Sequence, residues 1–328
     1  MSATGPESVP PRDELETSMV REAVGGRPLV SAKHKRQVAI ITVVALGLYA
    51  LVRLLPVGSN VNHMDFRLEG KGGLEFCDPA NPQFIPVVAV RSPVKMTLQS
   101  KTAPTVNQPT DFTLMLQTAS GKAIGPADLM VAHTRKLHLL VVDPTLSDYQ
   151  HVHPEPGRRL GEWTFTLTPA RPGDYRVFAD FTPAATQRSL YASADFNVPG
   201  TVATVINVGN STWQDRGYNF ELVMPPVMHA GQPIDLRFKV ESQGAVKPPV
   251  PLEPVMGAFA HLVAFDVNRS GFAHLHPMET DLTQLPDPLS PELNFKITIP
   301  QPGRYVIWAQ VNLGGSERFA PFWVDVLP

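Results

Sequence analysis

From residue 92 onward, apolar and polar residues alternate in short runs: DFTLMLQT (111–118), EWTFTLTP (162–169), PIDLRFKVE (233–241) and ELNFKITIP (292–300). A period of two puts every second side chain on one sheet face and predicts half-buried strands. Turn pairs separate the runs, among them Ser120-Gly121, Pro172-Gly173, Gln243-Gly244, Pro302-Gly303 and Gly314-Gly315. About seven such strands in each half predict two tandem immunoglobulin-like β-sandwiches. Upstream the pattern changes. VAIITVVALGLYALVRLLPV (38–57) is apolar except for Thr42 and Arg53, and it has roughly the twenty residues needed to cross a bilayer. Arg53 lies near one end, where its guanidinium can reach the interface. The expected fold class is therefore all-β, preceded by a single N-terminal transmembrane helix. The 34 prolines agree, since helix interiors exclude them.

Lys33, Lys35 and Arg36 precede the apolar run. The positive-inside rule then predicts a cytoplasmic N-terminus, with everything after about residue 58 outside. The run starts late and no clear small-x-small cleavage site follows, which favours an uncleaved anchor over a signal peptide. Residues 1–37 are polar and rich in Pro and Gly, as in disordered tails. Residues 58–91 read as a Pro-rich spacer, 92–199 as the first sandwich and 200–328 as the second.

The two halves are related. HLLVVDPTLSDYQHVHP (138–154) and HLVAFDVNRSGFAHLHP (261–277) align without gaps, and His138/His261, His151/His274 and His153/His276 coincide. RPGDYRVFADF (171–181) and QPGRYVIWAQV (301–311) align at an offset of 130. Their PG-x-Y segments suggest tyrosine corners, with the phenols of Tyr175 and Tyr305 bonding upstream backbone.

A hairpin with arms 138–143 and 148–153 sets His138 opposite His153 and Leu140 opposite His151. All three imidazoles then project from one face, and His261, His274 and His276 do the same in the second half. Asp143 and Asp266 fall on the other face and read as turn initiators. His133 precedes His138 by five residues, and Met256 holds the same place before His261. His and Met both serve as copper ligands. Met224, Met228, His229 and Met278 are further soft or imidazole candidates. The lone Cys77 excludes an internal disulfide and a thiolate cluster, so copper is the first choice of metal and zinc the second. If a metal is held, the ring nitrogens of a triplet lie within about 4–5 Å and face common space. If the histidines only lock a hairpin, each bonds backbone and the rings point apart.

HTRKLHLLVVDPTLSDYQHVHPE (133–155) followed by PGDYRVFADF resembles a bacterial family of exported or membrane-anchored β-sandwich proteins. Its histidines match His133, His138, His151 and His153. EPVMGAFAHLVAFDVNRSGFAHLHP (253–277) resembles the related second-module pattern at Glu253, Gly257, His261, His274 and His276. Thr134 stands where that family has Glu, and Met256 where it has an apolar or aromatic residue. The resemblance implies kinship with periplasmic copper- and heavy-metal-handling modules of the YtkA-like kind.

The net charge of −2 gives no basic face for nucleic acid. No Ser-His-Asp set, phosphate loop or paired carboxylates accompany the histidines, so an enzyme is not expected. The sequence thus reads as a single-pass protein of the bacterial inner membrane. Its periplasmic modules bind copper or zinc through His133, His138, His151, His153, His261, His274, His276 and Met256, for delivery, storage or sensing. Another envelope protein is an expected partner. The rival is an assembly module whose histidines are architectural.

Overall fold

The computed structural model describes residues 31–54, 59–66, 82–205 and 207–328. Most of the expected tail and Cys77 lie outside these residues. The chain divides into two units, residues 1–57 and 58–328.

In the first unit, α1 (Ala32–Leu54) runs 23 residues, about 34 Å at 1.5 Å per residue. It begins six residues earlier than the apolar pattern predicts, inside the segment read as disordered. AKHKRQ lacks Gly and Pro, and the Ser31 hydroxyl caps the first turn by accepting the His34 N–H at 3.3 Å. The helix ends ahead of Pro56, which disfavours α geometry in the residue before it. Val38, Ile41, Leu48 and Leu51 are all exposed. A helix that is apolar all round needs an apolar solvent, and Ala32–Val52 is long and apolar enough to cross a membrane.

The second unit holds both sandwiches. In the first module the strands are β1 (Val94–Ser100), β2 (Thr110–Thr118), β3 (His138–Val142), β4 (Tyr149–Val152), β5 (Glu155–Pro156), β6 (Glu162–Leu167), β7 (Gly173–Phe181) and β8 (Leu190–Val198). They form sheets β1-β2-β6-β5 and β4-β3-β7-β8. The second module starts with β9 (Thr212–Asp215), β10 (Tyr218–Val223), β11 (Met228–His229), β12 (Pro233–Ser242) and β13 (Leu252–Glu253). It continues with β14 (His261–Asp266), β15 (Phe272–Leu275), β16 (Glu292–Thr298), β17 (Gly303–Leu313) and β18 (Ser316–Leu327). Its sheets are β16-β12-β10-β9 and β11-β18-β17-β14-β15, with β13 on β17. Each module has its own core, built around Trp163 and Phe112 in the first and Phe238 and Phe295 in the second.

A third cluster joins the modules. Leu140, Val142 and Phe178 of the β4-β3-β7-β8 sheet pack against Val263, Phe265, Val306 and Trp308 of the β15-β14-β17-β18 sheet. β3 and β14 are therefore buried on both faces along their whole length. Two-sided burial explains why HLLVV and HLVAF read as continuous apolar runs where other strands alternate. Leu139 and Val141 face their own module's core, while Leu140 and Val142 face the partner module.

The expected spacer is tied down where it is described. Val61 and Phe66 enter the first core, Phe84 the second, and Ile85 and Val87 the contact between modules. Ile85 exchanges two backbone hydrogen bonds with Phe272. A Cβ on Gly271 would lie 1.8 Å from the Ile85 carbonyl oxygen, so only glycine admits this approach. The buried Asp128 carboxylate accepts the N–H groups of Asn60, Val61 and Gly125. Asp128→Ala strands these donors and is expected to cost about 2–3 kcal/mol. Limited proteolysis between residues 58 and 66 should quicken in the variant, and an unchanged rate would count against this anchoring role.

The turn readings are met. Asp143 accepts from the N–H groups of Thr145, Ser147 and Asp148, and Asp266 from those of Asn268, Ser270 and Gly271. The Tyr305 hydroxyl donates to the Gln301 carbonyl at 2.9 Å. Tyr175 is a variant corner, accepting from the Arg171 N–H and donating to the Asp148 carboxylate.

Candidate metal centre

Strand register places the imidazoles. In the first hairpin Leu140 pairs with His151, and in the second Val263 pairs with His274. Extending either register sets the first and third histidines opposite each other, as expected. Their parity is that of Leu140 and Val263, so every imidazole projects into the contact between modules. The outcome is two triplets in one buried seam, with the rings of His151 and His274 only 5.4 Å apart across it.

Within each triplet one nitrogen per ring lies within 4.8 Å of the others. His138 Nδ1 is 3.2 Å from His151 Nε2 and 3.1 Å from His153 Nε2. His261 Nδ1 is 3.2 Å from His274 Nε2. A tetrahedral ion with ~2.0–2.1 Å bonds holds its ligand nitrogens roughly 3.3 Å apart.

The far side of each ring fixes which nitrogen carries hydrogen. His138 Nε2 lies 3.0 Å from the Ala132 carbonyl oxygen, and His261 Nε2 lies 3.0 Å from that of Val255. Both must donate, because a carbonyl only accepts. His151 Nδ1 donates to Gln310 Oε1 at 2.9 Å, and the amide is oriented by its own N–H donation to Glu317. His274 Nδ1 donates to Asp180 at 3.1 Å. Neutral imidazole has one N–H, so His138 Nδ1 and His151 Nε2 present lone pairs to each other, as do His261 Nδ1 and His274 Nε2. A proton on His153 Nε2 can satisfy the 138–153 contact, but nothing satisfies the 138–151 contact. His276 Nε2 is buried without a hydrogen-bond partner among the described residues. Opposed lone pairs at 3.2 Å call for a cation between them.

Burial opposes a proton in that place. Desolvation, with neighbouring imidazoles adding to it, holds His138 below the usual range and His151 and His274 well below. It lowers His153 to about 3 and His261 to about 4, and His276 is likewise lowered. Burial pushes the Asp180 carboxyl up, against the pull of His138 and His133.

A family model, described as a domain of unknown function (DUF8832), matches residues 89–200 and again 212–327. The chain belongs to the DUF8832 family. No curated protein matches it. Among solved structures, red sea bream transglutaminase is similar at 8% identity and a TM-score of 0.22, over 73% of this chain and 32% of that one. This chain thus spans about a third of that protein's length. Fibronectin(III)-like modules of Clostridium thermocellum CbhA are similar at 10% identity and a TM-score of 0.19, over 71% and 93%.

The two DUF8832 modules meet through equivalent faces, and the groups orienting their histidines are exchanged. Asp180 and Gln310 stand at equivalent positions, each paired with the first histidine of its own module: His138 with Asp180, His261 with Gln310. Yet Asp180 bonds the second module's His274, and Gln310 the first module's His151. Neither Asp180 nor Gln310 is among the residues that local spacing singles out. The signal was there: each is a polar residue in a strand otherwise buried, VFADF and VIWAQV.

His133 and Met256 begin equivalent two-residue turns. Both central residues have positive φ (His133 48°, Thr134 69°; Met256 51°, Gly257 78°), the type I′ signature. Thr134 is β-branched and strained there, whereas the second turn has glycine. The His133 ring stacks on His276 at 3.6 Å, covering the second triplet instead of completing the first. Met256 is half-buried at the opposite turn. His229 bonds the Pro328 carbonyl at the far end of β18, Met228 is in the second core and Met278 is exposed. His151 and His153 border a groove of about 610 Å³ that also meets Lys101, Arg135 and Glu155.

Proposed function

We propose that this chain is a membrane-anchored, extracytoplasmic metal-binding protein that holds copper, or zinc, on two three-histidine sites between its modules, for storage or delivery. The observation that carries the reading is the pair of opposed imidazole lone pairs in each triplet. Each is fixed by a donor bond on the far side of the ring, the arrangement that orients histidine ligands at metal sites. His138, His151 and His153 would hold one ion, and His261, His274 and His276 the other. Three neutral imidazoles suit copper and zinc and suit magnesium or calcium poorly. Lys33, Lys35 and Arg36 before the apolar helix support an external β unit. The resemblance to periplasmic metal-handling modules supports the same reading.

One observation favours the architectural rival: His138 and His261 each pin a turn through the Ala132 and Val255 carbonyls. His153 and His276 bond no such carbonyl among the described contacts, so they separate the readings. In calorimetric titration of the full chain in detergent with copper or zinc, we expect about two equivalents to bind. The His153→Ala/His276→Ala variant should lose binding by at least 100-fold with little change in metal-free melting. Failure of the parent chain to bind either metal would leave only the architectural reading.

A further inference from the structure

The two triplets are near-copies in ligand geometry but differ in what stands behind them. Behind His274 is a carboxylate, Asp180 at 3.1 Å. Behind His151 is a neutral amide, Gln310 at 2.9 Å, with the nearest carboxylate, Glu317, one residue further out. A carboxylate bonded to a ligand imidazole raises its basicity and tightens metal binding, and losing such a partner weakens affinity typically 10–100-fold. The surroundings of the third histidine also differ: His133 is stacked on His276, whereas the half-buried His153 borders the groove. Proximity adds a third consideration. An ion ~2 Å from a ring nitrogen sits roughly 3 Å from the ring centroid, and His151 and His274 have centroids 5.4 Å apart. Two ions would then lie within about 12 Å, where divalent charges in a buried seam repel and the second enters less readily.

Resting on the metal reading above, we propose that the two sites are unequal by design of residues 180 and 310. The His261/His274/His276 site retains a divalent ion, and the His138/His151/His153 site exchanges its ion with solvent through the groove. Asp180 and Gln310 are the residues that set affinity, each acting across the module boundary.

Zinc titration of the full chain in detergent, in competition with a fluorescent chelator, tests this. Two affinity classes at least tenfold apart are expected, the tight one missing in His276→Ala and the weak one missing in His153→Ala. Asp180→Asn should weaken the tight class 10–100-fold and leave the affinity of the weak class unchanged. Gln310→Glu/Glu317→Gln, which moves the carboxylate inward and keeps the hydrogen bond, should strengthen the weak class. A gain of affinity cannot come from misfolding, so this second variant stands even if Asp180→Asn melts early. Two equal classes, or a tight class lost in His153→Ala, would overturn the inequality and leave the metal reading intact. No zinc bound by the parent chain would overturn both.

Discussion

Metal-free protein is expected to lose stability steeply as pH falls below about 6.5, the unfolded histidine value. The sign follows from proton uptake. His151 and His274 are held neutral well below that value in the folded chain, and His138 and His261 are lowered with them. Below pH 6.5 the unfolded chain binds protons that the folded chain refuses, so stability is full above this pH and drains as the pH drops. The loss continues toward each folded value, about 4 for His261. One imidazole contributes about 1.4 kcal/mol per pH unit, and His151, His274 and His261 together give a limiting slope of about 4 kcal/mol per unit. That rivals the net stability of a domain, so the seam should open between about pH 6 and 5. Urea midpoints with chelator present at pH 7.5, 6.5 and 5.5 would measure this. Saturation with zinc or copper at 1,000 times its dissociation constant adds about 4 kcal/mol per site and should shift the loss to lower pH. A midpoint flat across this range would mean that the imidazoles are not held neutral.

Phe265→Ala should cost about 3–5 kcal/mol, as large-to-small changes in cores do. Phe265 is fully buried and lies between Tyr149 and Phe178 of the first module, ring centroids 5.5 and 5.9 Å away. The larger consequence is for the site. Loosening the seam withdraws Gln310 from His151 and Asp180 from His274 together, so metal affinity should fall at both triplets, though Phe265 is a ligand in neither. Phe238→Ala empties the second module's own core and serves as the control, with a similar stability loss but near-parent affinity in the molecules that remain folded. Equal affinity in the two variants would show that the shared seam does not organise the sites.

Much of this was legible in the chain itself. Period-two runs gave the strands, and turn residues gave their ends. The repeated His-x-His hairpin gave the register, because a period of two leaves His138, His151 and His153 only one common face. The start of α1 was misplaced, since AKHKRQ is polar and hydropathy marks an apolar span, not a helix boundary. The seam was not legible as a seam. Continuous apolar strands at HLLVV and HLVAF require burial on both faces, but the pattern does not say what covers the second one. Asp180 and Gln310 act on histidines 94 and 159 residues away, and no local spacing connects them. Sequence determined which residues could be ligands and which face they share. Packing of one module on its near-copy decided that the two triplets meet, that each is oriented by the other module, and that one is backed by charge and the other is not.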